Sequence, residues 1–560
     1  MMFHAPLEDY RFILRHVAGF DRNGGPSAAV DAETLDAILT GAGQLCEGVL
    51  APLNRAGDVH PARLEDGIVH APPGFAEGYR MIADGGWIGI SAPPGYGGMG
   101  LPLALSAVVQ EMMAGACLSL QLLPVLARGA IEAIARHAGP DLRDLYLPRL
   151  ISGEWTATMN LTEPQAGSDL GAIRCRAEPR SDGTHAITGE KIFITWGDHD
   201  LAGNIIHLVL ARLPGAPAGA KGISLFLVPK HLPDADGNAA ARNRVEAAGI
   251  ERKLGIHGSP TCTMRYDGAT GWLVGGENGG LAAMFTMMNN ARLGVGGQGI
   301  GMAEAAYQQA LAYARERVQG NHAGSTIIDH ADVRRMILTM RAEIFAIRAI
   351  AVAASAAGDL AAAGDDGAAA RVALLTPIVK AHGTDIATEV ASAALQVHGG
   401  LGYIEDTGIA QLVRDARVLP IYEGTNGIQA MDLAGRKLAD GGRAAFALLD
   451  EVEAAARQAV LSDLAAPLLQ AVANLRGATR WMVGREDVQD RLAGAAPYLR
   501  GFARVLGAGC HLRAAEAAPG GAREHLARFF IAAILPEHEA LLARARLGAD
   551  VLFAHPVDEL

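Results

Sequence analysis

The spacing of apolar residues predicts helices at both ends of the chain. In the first part, apolar positions recur at the three- to four-residue interval of a helix over 104–113 and 126–138, and Gly139-Pro140 ends the second segment. The same period returns later in the chain. There we predict long helices at 284–317, 332–360, 367–395 and 407–417.

A different pattern lies between these helical regions. Short apolar runs are separated by Asp-Gly, Gly-Asp and Pro-Gly turn signals, which favours an antiparallel sheet or a small barrel. The predicted strands are 155–161, 185–188, 191–195, 205–211 and 223–228. No GxGxxG follows a strand and opens a helix in this region, which argues against a Rossmann domain.

The order of these patterns predicts a mainly α protein with a central β-domain. We expect an N-terminal helical domain over 1–154, a middle β-domain over 155–280 and a C-terminal helical bundle over 281–440. The Ala- and Leu-rich block 441–560 is predicted to be an extra helical domain that has no catalytic-looking cluster. A chain of 560 residues is long enough for this number of domains.

Composition excludes several classes of function. The net charge of −12 leaves no basic surface for nucleic acid. The five cysteines lie far apart and form no CxxC pair, so neither a disulfide framework nor a metal site is expected. The N-terminus lacks a signal-peptide pattern, and the most apolar run, 344–357, contains Arg348. We therefore expect a cytoplasmic protein without a membrane span.

Two clusters of residues suggest a ligand site. The first, 159–171, leaves a strand and enters a loop of small and hydroxyl residues. Such a loop is either an ordinary turn or a site whose N–H groups and hydroxyls hold a pyrophosphate or a ring edge. The second, 191–197, puts Phe193 and Thr195 on one face of a strand, where Phe193 either packs in the core or stacks on a flavin.

The third cluster contains the candidate acid–base group. Gly399 and Gly400 follow Gln396 and permit close approach of a ligand. Further on, Glu423 lies in a short non-polar run that ends at Gly424. A carboxylate there is either a helix cap or a partly desolvated base.

Taken together, the motifs resemble those of the acyl-CoA dehydrogenases. The matching segments stand in the family's order: Thr-Glu-Pro-x-Ala-Gly-Ser-Asp at 162–169, Phe-Ile-Thr at 193–195, Asn-Asn-Ala-Arg at 289–292, Gln-Val-His-Gly-Gly at 396–400 and Tyr-Glu-Gly-Thr at 422–425. Further likeness is to the 3-methylmercaptopropionyl-CoA dehydrogenase-like branch of the family, at 5–12, 54–58, 253–260 and in the C-terminal helical extension.

This resemblance implies α,β-dehydrogenation of an acyl-CoA thioester to the trans-2-enoyl-CoA, with FAD as cofactor. Glu423 is then the base that removes the α-proton, and flavin N5 accepts the hydride. Ser168, Arg292 and Gly424 are expected to contact the substrate. The expected FAD contacts are Leu161, Thr162, Ser168, Phe193, Thr195, Arg317, Gln396, Gly399, Gly400, Thr425 and Asn426.

The resemblance also implies partners. The segment 396–400 and Arg317 are expected to reach the FAD of a neighbouring subunit, which implies a homo-oligomer, a dimer or a tetramer. Electron-transfer flavoprotein is the expected electron acceptor. The acyl group is left open between a short or medium chain and 3-methylthiopropionyl-CoA.

Three alternatives bear on these assignments. The first is an acyl-CoA oxidase, or another flavoenzyme on the same scaffold, that returns electrons to oxygen. The second is a structural ion pair as the role of Arg292. The third, a base just before Arg292 as in some relatives, is excluded because that residue is Ala291.

Overall fold

The structure, a computed structural model, describes residues 3–20, 30–320 and 324–559, apart from the side chains of residues 289 and 290. The Asn-Asn part of the 289–292 motif therefore lies outside the described side chains. The N-terminal part consists of helices α1 Leu7–Phe12, α2 Ala32–Leu45, α3 Ala51–Val59, α4 Phe75–Asp84, α5 Leu103–His137 and α6 Pro140–Ile151, with a hairpin of β1 Arg63–Glu65 and β2 Ile68–His70.

Helix α5 spans the two helices predicted at 104–113 and 126–138. The residues between those segments are also apolar and buried, and the backbone leaves helical geometry at Cys117 (φ −156°, ψ 90°). The prediction of two helical segments is confirmed by this break at Cys117, but the predicted gap over 114–125 is too wide, because a helix buried on nearly all sides has no polar face and its periodicity gives no boundary.

The middle part is a β-domain. Its strands are β3 Trp155–Asn160, β4 Arg176–Pro179, β5 His185–Thr195, β6 Asn204–Ala211, β7 Ser224–Pro229, β8 His231–Pro233, β9 Ala239–Arg242, β10 Val245–Ile250 and β11 Thr261–Val274. Strand β5 is continuous, so the prediction of separate strands at 185–188 and 191–195 is wrong. The later strands β8 to β11 were not predicted.

Seven of these strands form one curled sheet. Its order is β3-β6-β7-β11-β5-β4, and β10 also pairs with β11. The pair β3–β6 is parallel and the other pairs are antiparallel. Arg212, just after β6, exchanges backbone hydrogen bonds with Ala177 (2.8 Å) and Cys175 (2.9 Å) beside β4. The last strand in this order, β4, thus contacts the end of the second strand, β6, which gives the sheet a barrel-like form.

Helices return after the β-domain, as predicted. The bundle consists of α7 Gly280–Glu316, α8 Ala331–Ala362, α9 Asp366–Val397, α10 Ile409–Ala416 and α11 Asn426–Asp432. The last block contains α12 Arg443–Gln458, α13 Ser462–Val483, α14 Val488–Ala493, α15 Ala495–Ala517, α16 Ala522–Phe529, α17 Glu537–Ala545 and α18 Asp550–Phe553.

Glycines on α7 let its neighbours approach closely. A Cβ at Gly299 would lie 2.5 Å from the carbonyl oxygen of Gly383 on α9. A Cβ at Gly301 would lie 2.4 Å from the carbonyl oxygen of Glu111 on α5. Either substitution would force the helices apart, because protein interiors are close-packed.

A buried arginine joins the bundle to the N-terminal helices. The Arg348 side chain on α8 is 0% exposed and contacts Glu111 of α5 (2.7 Å), Glu304 of α7 (2.8 Å) and Asp9 of α1 (3.3 Å). The Tyr10 hydroxyl donates to Glu111 (2.9 Å). Four helices, α1, α5, α7 and α8, are thereby held around one guanidinium.

Two further arginines complete this network. Arg341 of α8 and Arg523 of α16 both bind the Asp9 carboxylate, at 2.9 and 2.5 Å. The three arginines neutralise the three carboxylates, so no net charge is buried, and a buried ion cluster is tolerated only under that condition. Through Arg523 the last helical block is tied to the N-terminus.

A second ionic contact fixes the last block to the bundle. Arg504 of α15, which is 2% exposed, binds Glu343 of α8 at 2.5 Å and Glu537 of α17 at 2.7 Å. Arg500, one turn earlier, binds Glu389 of α9. The block is therefore packed onto α8 and α9 and is not a tethered appendage.

Two sequence segments that share the branch resemblance, 54–58 and 253–260, meet at α10. Asp58 binds Arg414 (2.7 Å) and His257 (2.9 Å). The backbone N–H of Ile256 donates to the Asp415 carboxylate at 2.5 Å. Burial raises the pKa of Asp415 to about 6. This cluster packs the segment 253–260 against the helix that precedes the Glu423 loop.

Two helices, α5 and α8, are long and apolar enough to cross a membrane. The expectation that no segment meets this test is wrong for them. Their most apolar windows are 89% and 72% buried inside the protein, and both helices take part in the Arg348 network. Their apolar character is accounted for by packing in the core.

We predict that Arg348→Met destabilises the fold by about 3–5 kcal/mol, since it leaves three buried carboxylates without their central cation. Urea unfolding followed by circular dichroism measures the change. The matched control is Arg443→Met, because Arg443 is 85% exposed and lies 3.8 Å from Asp440. That change should cost less than about 1 kcal/mol. Equal effects of the two substitutions would contradict the central role of Arg348.

Candidate active site

The Glu423 loop has a strained backbone. Glu423 has φ +56° and Gly424 has φ +85°. A positive φ is uncommon for a residue with a side chain, and such strain persists where the surrounding structure imposes it, often at functional sites. The N-cap of α11 is Thr425, whose hydroxyl accepts from the Ile428 N–H at 3.3 Å. The helix-cap interpretation of Glu423 is therefore wrong.

The Glu423 carboxylate is partly buried and has no direct partner. Within the described part of the chain, no group donates a hydrogen bond to it. Burial raises its pKa above the ordinary 4.5, and the positive charges of Arg292 and Lys380 oppose that rise. Such a carboxylate is a stronger base than an exposed one.

The two cations near Glu423 are themselves desolvated. Arg292 is 8% exposed, burial lowers its pKa, and its Nε has no hydrogen-bond partner among the described residues. No described carboxylate lies within ion-pair distance of it, so the structural ion-pair alternative for Arg292 is wrong. Burial lowers the pKa of Lys380 to about 8.

Asn426 links the Glu423 loop to α9. Its Oδ1 accepts from Lys380 Nζ at 2.8 Å. Its Nδ2 donates to Asp385 at 2.7 Å and to Thr384 at 2.9 Å. The side-chain amide is thus used within the protein, and it holds the start of α11 in place behind the Glu423 carboxylate.

The loop after β3 is shaped by a buried ion pair. Lys191, which is 0% exposed, binds Glu163 at 2.8 Å and donates to the Leu161 carbonyl at 2.9 Å. Glu163 also accepts from the backbone N–H groups of Arg174 and Cys175. These contacts leave Thr162 half-buried and Ser168 exposed at the loop surface. The conformation of the loop is therefore held by these buried contacts, unlike that of an ordinary turn.

Phe193 stands out at the end of β5. It has φ +60° at an irregular point of the β5–β11 pairing, and it is 59% exposed. The core interpretation of Phe193 is therefore wrong, and the simple alternation used for the prediction does not apply across the irregularity. Thr195 is half-buried, and its carbonyl accepts from Thr158 at 2.7 Å.

The glycine segment after α9 lies on the surface. Gln396, Gly399 and Gly400 are exposed, as is Arg317 at the end of α7. A Cβ at Gly399 or Gly400 would meet nothing within 4 Å, and Gly399 has φ +60°. This open space, the exposed ring of Phe193 and the small-residue loop at 162–169 fit a large ligand with an aromatic ring and phosphates, which is what FAD requires.

A large cavity lies between α5, α7, α8 and α9. Its volume is about 1110 Å³, and it reaches Arg292 and Asp432 near the Glu423 loop. At the other end it is bounded by the loop 91–93 and 100–102. The size suits an acyl chain, since ligand cavities hold roughly 300–1,000 Å³.

Comparisons with known proteins agree with this architecture. Domain models described as acyl-CoA dehydrogenase N-terminal, middle and C-terminal domains match residues 36–154, 158–269 and 278–438. A fourth, described as acetyl-CoA dehydrogenase C-terminal like, matches residues 448–556. These matches cover most of the chain.

Individual relatives give the same result. The chain is 44% identical over 551 residues to 3-methylmercaptopropionyl-CoA dehydrogenase of Ruegeria pomeroyi, with 94% of each chain covered. It is 37% identical over 428 residues to butyryl-CoA dehydrogenase of Syntrophomonas wolfei, with 72% of this chain and 70% of the relative covered. The solved structure of Caenorhabditis elegans ACDH-11 with C11-CoA has the same fold, with TM-score 0.81, 20% identity, and 99% and 96% coverage.

Fold, site and matches define an FAD-dependent oxidoreductase that acts on acyl-CoA thioesters. The chain belongs to the acyl-CoA dehydrogenase family. This confirms the predicted family, its branch, the fold class and the FAD cofactor, and the matches do not favour the oxidase alternative.

Several residues that shape the site were missed by sequence reasoning. Lys191 was seen only as the start of a strand, and its neighbour Glu190 gave no sign that it is buried in an ion pair with Glu163. A second set is three buried glutamines, Gln110, Gln121 and Gln298. Gln110 and Gln121 lie on opposite sides of the non-helical residue Cys117, so helical spacing alone does not bring them together. Nothing in the sequence connected them to Gln298.

We predict that Lys191→Met reduces FAD retention and lowers the temperature of the unfolding midpoint. The substitution leaves the buried Glu163 carboxylate without its cation, which should lower the free energy of unfolding by about 3–5 kcal/mol. The ratio of flavin to protein after dialysis, together with thermal unfolding, measures both effects. The control is Arg180→Met, since Arg180 is an exposed residue of the same sheet. Full flavin retention by Lys191→Met would show that the loop does not need this pair.

Proposed function

We propose that the protein removes the α-proton and the β-hydrogen of an acyl-CoA thioester, with Glu423 as the base. The observation that supports this is the state of Glu423: a desolvated carboxylate, to which no described group donates a hydrogen bond, on a strained loop near the charges of Arg292 and Lys380. The α C–H of an alkyl thioester is a weak acid. A base of raised pKa and a means of stabilising the enolate are both required.

Enolate stabilisation is supported by a free donor. Among the described residues, the backbone N–H of Glu423 has no acceptor, so it is available to the thioester oxygen. A preorganised donor of this type typically contributes about 3–4 kcal/mol to the transition state. The positive charge of Arg292 opposes the rise in the pKa of Glu423 and so favours its ionised form.

FAD, when bound, supplies the hydride acceptor for the β-hydrogen. We propose that Leu161, Thr162, Ser168, Phe193 and Thr195 hold its ring and phosphate regions, and that Thr425 and Asn426 border it. Exposed Gln396, Gly399, Gly400 and Arg317 are proposed to serve the FAD of a neighbouring copy. Arg292, Gly424 and Ser168 are the proposed substrate contacts.

The acyl group, the oligomeric state, the location, the electron acceptor and the domain bounds are also proposals. The resemblance to 3-methylmercaptopropionyl-CoA dehydrogenase supports a short or medium acyl chain, or 3-methylthiopropionyl-CoA, as substrate. We further propose a homo-oligomer, a dimer or tetramer, in the cytoplasm that delivers electrons to electron-transfer flavoprotein. The four domains are proposed as 1–154, 155–280, 281–440 and 441–560.

We predict that Glu423→Gln lowers the rate of flavin reduction by an acyl-CoA by about 10⁴-fold, with FAD still bound, because the amide cannot accept the α-proton. Anaerobic stopped-flow absorbance with acyl-CoAs from short to long measures the bleaching of the flavin. Glu539→Gln, on the exposed surface of α17, is the control and should leave the rate unchanged. An unimpaired Glu423→Gln, or a wild-type flavin that no acyl-CoA reduces, would refute the proposal.

The acid limb of kcat/KM provides a second prediction. The base must be ionised, so kcat/KM falls as pH decreases through the pKa of Glu423, which burial places above the ordinary 4.5. Lys380→Gln removes a cation that lowers this pKa, so the limb should move to higher pH. Arg443→Gln, on the exposed surface, should not move it. A shift to lower pH in Lys380→Gln would mean that another group controls the limb.

A further inference from the structure

Four buried side chains form a chain of hydrogen bonds that starts beside the proposed base. The Tyr422 hydroxyl donates to Oε1 of Gln298 on α7. Gln298 Nε2 donates to Gln121 Oε1 at 2.8 Å, and Gln121 Nε2 donates to Gln110 Oε1 at 3.0 Å. The three glutamines are 1%, 0% and 3% exposed, respectively.

These hydrogen bonds all run in one direction, and the donor at the end of the series is unpaired among the described residues. Each carboxamide accepts through its oxygen and donates onward through its nitrogen, so each bond polarises the next. At the last position, Gln110 Nε2 is buried and has no acceptor among the described residues. A buried donor left in this state costs about 1–3 kcal/mol, so its retention calls for an acceptor that arrives with a ligand.

Gln110 lines the cavity between α5, α7, α8 and α9. The neighbouring hydroxyls are already used, since Ser355 donates to the Ala351 carbonyl (3.0 Å) and Thr376 to the Val372 carbonyl (2.7 Å). Arg128 and Glu132 also line the cavity, one turn apart on α5, and each offsets the other's charge, while Arg128 Nε, like Gln110 Nε2, is buried without a partner among the described residues. Gln110 is thus a fixed neutral donor in a cavity that is otherwise largely lined by apolar residues.

We propose that Gln110 is a specificity residue that binds a hydrogen-bond acceptor within the acyl chain, so that the preferred substrates are acyl-CoAs with an ether, thioether or similar heteroatom in the chain. The inference rests on the proposed dehydrogenase function. Its physical basis is that a positioned donor favours a substrate that provides an acceptor. A plain alkyl chain has no acceptor, so its binding leaves the donor unpaired. Oxygen is the stronger acceptor and sulfur the weaker one.

The test compares acyl-CoAs of equal length in which one methylene is replaced by oxygen or sulfur, with the replaced position moved along the chain. For wild type, kcat/KM for the oxygen compound should exceed that of the alkyl compound by about tenfold at one position. Gln110→Met, of similar volume, should remove this preference. Ser355→Ala is the control, since it lines the same cavity but has its hydroxyl satisfied, and it should keep the preference.

A binding measurement separates recognition from chemistry. In a Glu423→Gln background, calorimetry should give a Kd ratio between alkyl and oxygen compounds that follows the same position and disappears with Gln110→Met. If wild type shows no preference at any position, or Gln110→Met keeps it, then Gln110 Nε2 binds only water and the inference fails. That result leaves the dehydrogenase function intact, because the alkyl compounds would still reduce the flavin. If no compound reduces it, the proposed function itself fails.

Discussion

The guanidinium of Arg348 is the constraint on which the arrangement of the helices depends. It is fully buried and contacts carboxylates from α1, α5 and α7, while Arg341 and Arg523 bring the cluster to neutrality. A buried charge that lost one partner would be costly, so these elements can occupy only one mutual position. The walls of the cavity, α5, α7 and α8, are the same helices. The cavity is therefore defined by an ionic cluster and not by apolar packing alone.

The proposed base is set by a second constraint, the geometry of its loop. Asn426 is held by Lys380, Thr384 and Asp385 of α9, and Thr425 caps α11. With the following helix fixed in this way, Glu423 takes a positive φ and its carboxylate is left without a donor. Desolvation raises the pKa of Glu423, and the positive charges of Arg292 and Lys380 oppose that rise. Basicity here comes from the fold, because nothing in the glutamate side chain itself differs from one on the surface.

Much of the fold was predictable because its elements are long and separated by Gly, Pro and turn residues. Helices α8 and α9 match the predicted 332–360 and 367–395 within two residues at each end. The errors have different causes. The break in α5 was predicted too wide, since a helix buried on nearly all sides has no polar face from which to read its ends. Strand β5 was divided at Gly189-Glu190, although both residues pair with β11. Strands β8 to β10 were missed because short strands carry weak patterns, and β11, although it has 14 residues, was missed because the pairing that forms it is not local.

The sequence by itself determined the order of helical and β regions and, through its motifs, the family and its cofactor. Those properties depend on residues close together in the chain. Tertiary structure alone decided that Phe193 is exposed, that Lys191 and Glu163 form a buried pair, and that Gln110, Gln121 and Gln298 form one line of hydrogen bonds ending at Tyr422. Burial, pKa and the direction of a hydrogen bond are properties of groups brought together from distant parts of the chain, and local sequence does not contain those distances.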